Sequence, residues 1–239
     1  PITYVYPEVD IVTTPDGYDV AMIHANNCTS DINAWVHLFE EVFQLMNVKY
    51  DKNELFTKLF ESAFNGDEDL GKLLSYGYIS GEFITDVNQG YPMFLRHVDS
   101  EFNIENFMKT HIFSAFSTLK IGIDLLKENE DIQIDSMLGH GGIFKTDKVA
   151  QSYLAAALET PVSVMKTASE GGAWGIAILS RYLLENQYTN LANYLNVKAF
   201  DNTDQITLNP KSQDVESFRN YIQKFKTLLP LQRQIDEYI

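Results

Sequence analysis

The sequence predicts an α/β fold, a mixed sheet flanked by helices, in a single domain over residues 1–239. Two observations point there. Between 132 and 182 two strand, glycine-loop and helix units follow one another, the order that builds a sheet with ligand sites at the C-terminal ends of its strands. Around them run long segments whose apolar residues recur every three or four positions, the period of helices with one face turned to a core.

In chain order, 9-VDIVTT-14 and 18-YDVAMIH-24 are β-branched, apolar runs joined by Pro15-Asp16-Gly17. Proline fixes φ and glycine supplies φ > 0, so the pair reads as a β-hairpin. From Thr29 or Ser30, Ile32, Trp35, Val36, Phe39, Val42, Phe43 and Met46 mark a long amphipathic helix. A second helix, about 51 to 64, starts at Asp51, turns Leu55, Leu59, Phe60 and Phe64 to one side and stops at Gly66. Glycines at 71, 77, 81 and 90 among alternating aromatics suggest short strands and loops over 70–97. Asn103 or Asn106 then caps a long helix, buried on one side, running from Ile104 to Leu126.

The strand 132-IQIDSML-138, the loop 139-GHGG-142 and a helix from about Asp147 to Leu158 form the first unit. The strand 161-PVSVM-165, a second glycine loop at 171-GG-172 and a helix through Tyr182 form the second. The tail from 212 is a helix with Val215, Phe218, Tyr221, Ile222, Phe225 and Leu229 on one face, kinked at Pro230.

With 33 acidic and 18 basic residues the chain carries a formal charge of −15, which repels a phosphate backbone and excludes a nucleic-acid binder. The acids are scattered, as on a solvated surface. Cys28 is the only cysteine, so there is no intrachain disulfide or cysteine zinc cluster, and it reads as a small buried residue. No apolar run approaches a membrane span, and the reducing, cytoplasmic setting fits. Opening at Pro1 directly in strand-like sequence, the chain reads as a piece of something longer. His24, His37, His97, His111 and His140 have no metal-ligand spacing. Asp31 reads as an acidic helix opening and Asp135 as a strand end; Trp35 and Trp174 read as core, with Trp174 also placed to wall a cleft.

Small residues between a strand end and a helix start let backbone N–H groups approach a phosphate, and the helix dipole favours the charge. Gly139, Gly141 and Gly142 stand at such a junction, as turn chemistry alone also would. The dinucleotide fingerprint fails at Phe144, and the G-K-[ST] end of a P-loop is absent.

What does fit is the run 139-GHGGIFKTDKVAQSYLAAALETPVSVMKTASEGGAWGIAILSRYL-183, which resembles the C-terminal domain of the FGGY carbohydrate kinases, the xylulokinases in particular. Gly141-Gly142, Gln151, Ala155, Pro161-Val162, Glu170, Gly175 and Ala177 fall in the family's order and spacing. Upstream, Tyr78-Ile79-Ser80-Gly81-Glu82 resembles the family's Y-L-x-G-E-R, and 26-NNCTSDINAW-35 takes the place of its small-residue helix start ending in tryptophan. The chain departs from the pattern at Phe83-Ile84-Thr85, where the family has Arg-Thr-Pro, at 109-KTHIFS-114, and at Ala156, where it has Asp.

The resemblance implies a ribonuclease H-like domain of the actin, hexokinase and Hsp70 kind, the nucleotide-binding half of a two-domain kinase that phosphorylates a ketose such as xylulose with ATP and Mg2+. It implies that Gly139, His140, Gly141, Gly142, Phe144 and Thr146 meet the adenine nucleotide, Gly141 and Gly142 against ADP and Thr146 toward the adenine. The catalytic Asp and much of the sugar site would belong to an N-terminal domain that this chain lacks, so the chain alone is expected to be inactive. A homodimer is expected. The rival reading is a non-catalytic nucleotide-sensing or dimerisation module of the same fold.

Overall fold

The structure, a computed structural model, describes residues 2–165, 171–185, 190–200 and 204–238. Its hairpin pairs β1 (Val9–Thr13) with β2 (Asp19–Ile23) antiparallel, Val9 opposite Ile23. Gly17 closes the turn at φ +89°, and the Thr14 amide donates to the Tyr18 carbonyl at 2.8 Å. The hairpin seats on a later helix at Gly122, where an added Cβ would lie 2.5 Å from Ile23 Cγ2.

Helix α1 (Ser30–Leu45) buries Ile32 and Val36, with Trp35 and Phe39 packed against the same core. Its second half departs from the sequence reading, because Val42 and Met46 face solvent. Helix α2 (Lys52–Ser62) is capped as expected, the Asp51 side chain accepting from the Glu54 amide at 2.8 Å, and passes into a 3-10 turn, Ala63–Asn65. Strands β3 (Leu73–Tyr76) and β4 (Met93–Arg96) make a second antiparallel pair.

Helix α3 (Ile104–Asn129) is capped by Asn103, which accepts from the Asn106 amide at 2.8 Å. From Asn106 to Thr118 every residue is buried, so the predicted one-sided stripe understates its centrality. Most of its polar atoms there are satisfied, although His111 Nε2 has no hydrogen-bond partner. Thr110 and Ser117 return their hydroxyls to carbonyls four residues back, Ser114 accepts from the Gly77 amide, and Lys109 Nζ donates to the Gly66 and Asp67 carbonyls at 3.2 and 2.9 Å. Helix α7 (Ser212–Gln234) covers another side with Phe218, Tyr221, Ile222, Phe225 and Leu229, and helical bonding continues past Pro230 to Gln234.

The third sheet is mixed. Strand β5 (Met137–Gly139) runs parallel to β6 (Val162–Met165), which pairs antiparallel with β7 (Gln205–Leu208). β5 is shorter than the 132–138 strand the sequence suggests. The Met137 amide bonds the Pro161 carbonyl at 2.8 Å, but Pro161 has no N–H to return, so the ladder cannot extend back toward 132. β7 was not foreseen. Helix α4 (Val149–Leu158) lies over this sheet with all 10 residues buried. Gly171-Gly172, expected as a loop, form the first turn of α5 (Gly171–Leu184), followed by α6 (Leu191–Tyr194) and a π-helical turn, Leu195–Ala199. Glu170 lies outside the described residues.

Two single residues differ from their expected places. Cys28 is exposed rather than buried. Trp174 is half-buried, its ring edge-on to Phe200 at 5.7 Å, outside the main core. Asp31 stands in the first turn of α1, the acidic helix opening expected, and is buried beside His111, Oδ2 to Nδ1 3.4 Å. Among the described residues no helix is long and apolar enough to cross a membrane.

Candidate nucleotide site

The polypeptide leaves β5 at Gly139, which is buried because a side chain there would meet Phe144 Cζ at 2.9 Å and Val164 Cγ2 at 3.0 Å. Its absence of a side chain lets the Phe144 ring close over the sheet. His140 is exposed. Gly141 takes φ +112°, a conformation that side-chain-bearing residues avoid, and turns the chain into the 3-10 turn Gly142–Lys145. A Cβ on Gly142 would meet nothing within 4 Å, so this glycine faces open space. Thr146 follows, 3% exposed, its Oγ1 without any hydrogen-bond partner. Buried hydroxyls are seldom left this way.

This turn forms one wall of a cleft of about 490 Å3, within the range of small-ligand sites. Gly142, Ile143, Lys145 and Thr146 line that wall. Opposite are Thr29 and Asn33 from the start of α1, and Lys52, Asn53, Phe56 and Thr57 along α2. Phe56 stacks on the fully buried Phe60, centroids 4.3 Å apart and 23° between planes, which stiffens a flat aromatic surface in the lining. Lys52 is held by Glu40 at 3.2 Å. The lining thus offers a ring, side-chain amides, two ammonium groups and a glycine backbone. Among the described residues no carboxylate belongs to it.

A smaller cavity of about 240 Å3 lies beyond Thr146, lined by Phe144, Thr146, Gln151, Val164, Met165 and Ile206 among others. Of the residues singled out from the sequence, Gly142 and Thr146 therefore line the larger cleft, Phe144 and Thr146 the smaller, and Gly139, His140 and Gly141 neither. The α1 wall falls in the 26–35 segment marked from the sequence. The α2 wall carried no sequence signal, since Asn53, Phe56 and Thr57 on an amphipathic helix look like any other flank of its apolar face.

The lining fits an adenine nucleotide: Phe56 for a base, Asn33 and Asn53 for polar edges, the lysines for phosphates, and Gly142 for close approach of the backbone. Among the described residues this cleft supplies no carboxylate for Mg2+, and no chemical step is assigned to the metal here.

The family model for the C-terminal domain of the FGGY family of carbohydrate kinases matches residues 2–184. No curated protein matches the sequence. Among solved structures the fold is similar to xylulose kinase from Rhodospirillum rubrum, with a TM-score of 0.70 at 14% identity over 96% of this chain and 44% of that one. Ligand-bound xylulose kinase from Lactobacillus acidophilus gives 0.66 at 15% identity, over 98% and 43%. Plasmodium falciparum glycerol kinase with ADP gives 0.59 at 12%, over 82% and 37%. The chain spans less than half the length of these kinases. It belongs to the FGGY family of carbohydrate kinases, and residues 2–184 are its C-terminal domain.

Proposed function

We propose that the chain supplies the adenine-nucleotide half-site of an ATP-dependent sugar kinase, with the nucleotide in the cleft between the 142–146 turn and the α1–α2 wall. The observation that carries this reading is the junction itself. A glycine open to solvent and a buried threonine hydroxyl without a partner lie on one wall, facing an aromatic ring and two amides on the other.

In this reading the protein's work is binding and orientation. The Gly142 backbone and the Lys52 and Lys145 ammonium groups hold phosphates, while Phe56 stacks on the base and shields that part of the nucleotide from water. ATP brings the transferable phosphoryl group; the sugar and the base that takes its hydroxyl proton belong to a companion domain. The sugar is xylulose or a related ketose, by similarity to the xylulose kinases named above, although a glycerol kinase shares the fold. The domain class is ribonuclease H-like, the working form is a cytoplasmic homodimer using ATP with Mg2+, and the chain by itself turns nothing over.

Calorimetric titration of the chain with ADP and ATP, beside Gly142→Trp, tests the reading. Binding by the wild type and its loss in the variant are expected, because the indole occupies the space that Gly142 leaves open. Equal binding by both would move the nucleotide elsewhere, and sugar-dependent ATP turnover by the chain alone would overturn the assignment of the catalytic base to another domain.

A further inference from the structure

The glutamate of the Tyr78–Glu82 motif is fully buried, which needs a reason, because an ionised carboxylate taken out of water is costly unless it is paired. Its Oε2 accepts three N–H groups from one turn: the Asn26 amide at 2.9 Å, the Asn27 amide at 3.1 Å and Asn27 Nδ2 at 3.1 Å. Asn27, 5% exposed, answers in the opposite direction. Its Oδ1 accepts from the Ile79 and Ser80 amides at 2.9 and 3.0 Å, and its Nδ2 also donates to the Ser80 carbonyl at 3.1 Å. Asn26 Nδ2 adds a bond to the Gly81 carbonyl at 3.0 Å. Glu82 is itself fixed from behind, since its amide and carbonyl exchange hydrogen bonds with Val87.

This double clasp lies immediately before α1. That helix lacks the usual device for holding its first turn: Thr29 is the N-cap, yet its side chain makes no capping bond. The same Thr29, with Asn33 one turn later, lines the nucleotide cleft. The start of α1 is therefore held from outside, by Glu82, and the threonine hydroxyl is spared from capping.

We infer that Glu82 is a positioning residue for nucleotide binding: through the Asn26–Asn27 turn it sets where Thr29 and Asn33 stand in the cleft wall. The inference rests on the nucleotide reading above. Burial raises the Glu82 pKa, the three N–H bonds at Oε2 offset part of that rise, and Oε1 is left without a partner, so Oε2 alone makes the clasp.

The experiment combines two measurements on the full chain, wild type, Glu82→Ala and Glu82→Gln: ADP affinity by calorimetry, and amide hydrogen exchange. In Glu82→Ala, exchange at Asn26, Asn27, Ile79 and Ser80 should accelerate while the α3 amides stay protected, and ADP affinity should fall about tenfold, the scale of losing a charged hydrogen bond. Glu82→Gln, which keeps an acceptor oxygen, should recover most of both. A folded Glu82→Ala chain that binds ADP like the wild type, or that leaves the four amides protected, overturns the inference. Absence of ADP binding by the wild type overturns the nucleotide reading instead, and with it the role given to Glu82. If Glu82→Ala does not fold, Asn27→Asp decides: it keeps the Oδ1 acceptor but replaces the donating amide with a charge facing Glu82, and the same two readouts apply.

Discussion

Gln151 joins α4 to two strands through one nitrogen: its Nε2 donates to the Ile206 carbonyl and to the Val162 carbonyl, each at 2.7 Å. The side chain is 3% exposed, so water does not replace it easily. It thereby locks β7, the antiparallel edge strand, and β6 against the helix that follows the glycine turn.

Replacing Gln151 with leucine keeps the volume and removes the donor. Two buried or half-buried carbonyls then lose a partner, and the expected cost is about 2 kcal/mol, read as a lowered urea midpoint at unchanged slope. A midpoint within error of the wild type would show that the two carbonyls are satisfied without this residue.

Gly122→Ala addresses the hairpin. The added methyl would lie 2.5 Å from Ile23 Cγ2, on a β-branched side chain with little freedom to turn away, so β2 must lift from α3. The expectation is a loss of about 1 to 3 kcal/mol, of the size seen for overpacking, with faster amide exchange across β1 and β2 than elsewhere. Uniform exchange would show that the hairpin shifts as a body at no local cost.

Local chemistry explains which elements the sequence revealed. Pro15-Asp16-Gly17, the Asp51 and Asn103 caps and the spacing of Phe218, Tyr221, Ile222 and Phe225 are decided by a few neighbouring residues, and all four elements stand where they were expected. Elements decided by distant partners were not visible. β7 pairs with the other edge of β6, β5 is cut short by Pro161 just before the neighbouring strand, and the polar side of α3 is buried because other elements cover it. The site divides in the same way. Gly142 and Thr146 follow from a strand, turn and helix in succession, whereas Asn53, Phe56 and Thr57 join them only when α2 folds back across the turn.

Lys109 gives a pH-dependent prediction. Its ammonium is buried at the side of α3, over the rings of Phe113 and Tyr153 at 5.7 and 5.8 Å, and burial lowers its pKa below the usual lysine value. A base with a lowered folded pKa is more protonated in the unfolded chain, so stability rises with pH between the folded value and about 10.5. Relative to Lys109→Met, which packs without titrating, the wild type should gain stability as pH climbs toward 10.5. Parallel stability curves for the two proteins would show that the ammonium is not desolvated.

Thr146→Val separates stability from binding. The substitution is nearly isosteric and deletes a buried Oγ1 that has no partner in the free chain. An unsatisfied buried hydroxyl costs about 1 to 3 kcal/mol, so its removal should leave the chain as stable as the wild type or more so. If that hydroxyl is kept for the nucleotide, the same variant must bind ADP less tightly, by roughly tenfold for one hydrogen bond to a buried hydroxyl. Stability and affinity then move in opposite directions, a pattern that damage to the fold does not produce, since damage lowers both. Thermal unfolding with and without ADP measures the two together: Thr146→Val should melt at or above the wild type in buffer and gain less from the nucleotide. A variant that gains as much from ADP as the wild type would show that the Thr146 hydroxyl does not touch the ligand, and would assign the 142–146 turn a role through its backbone alone.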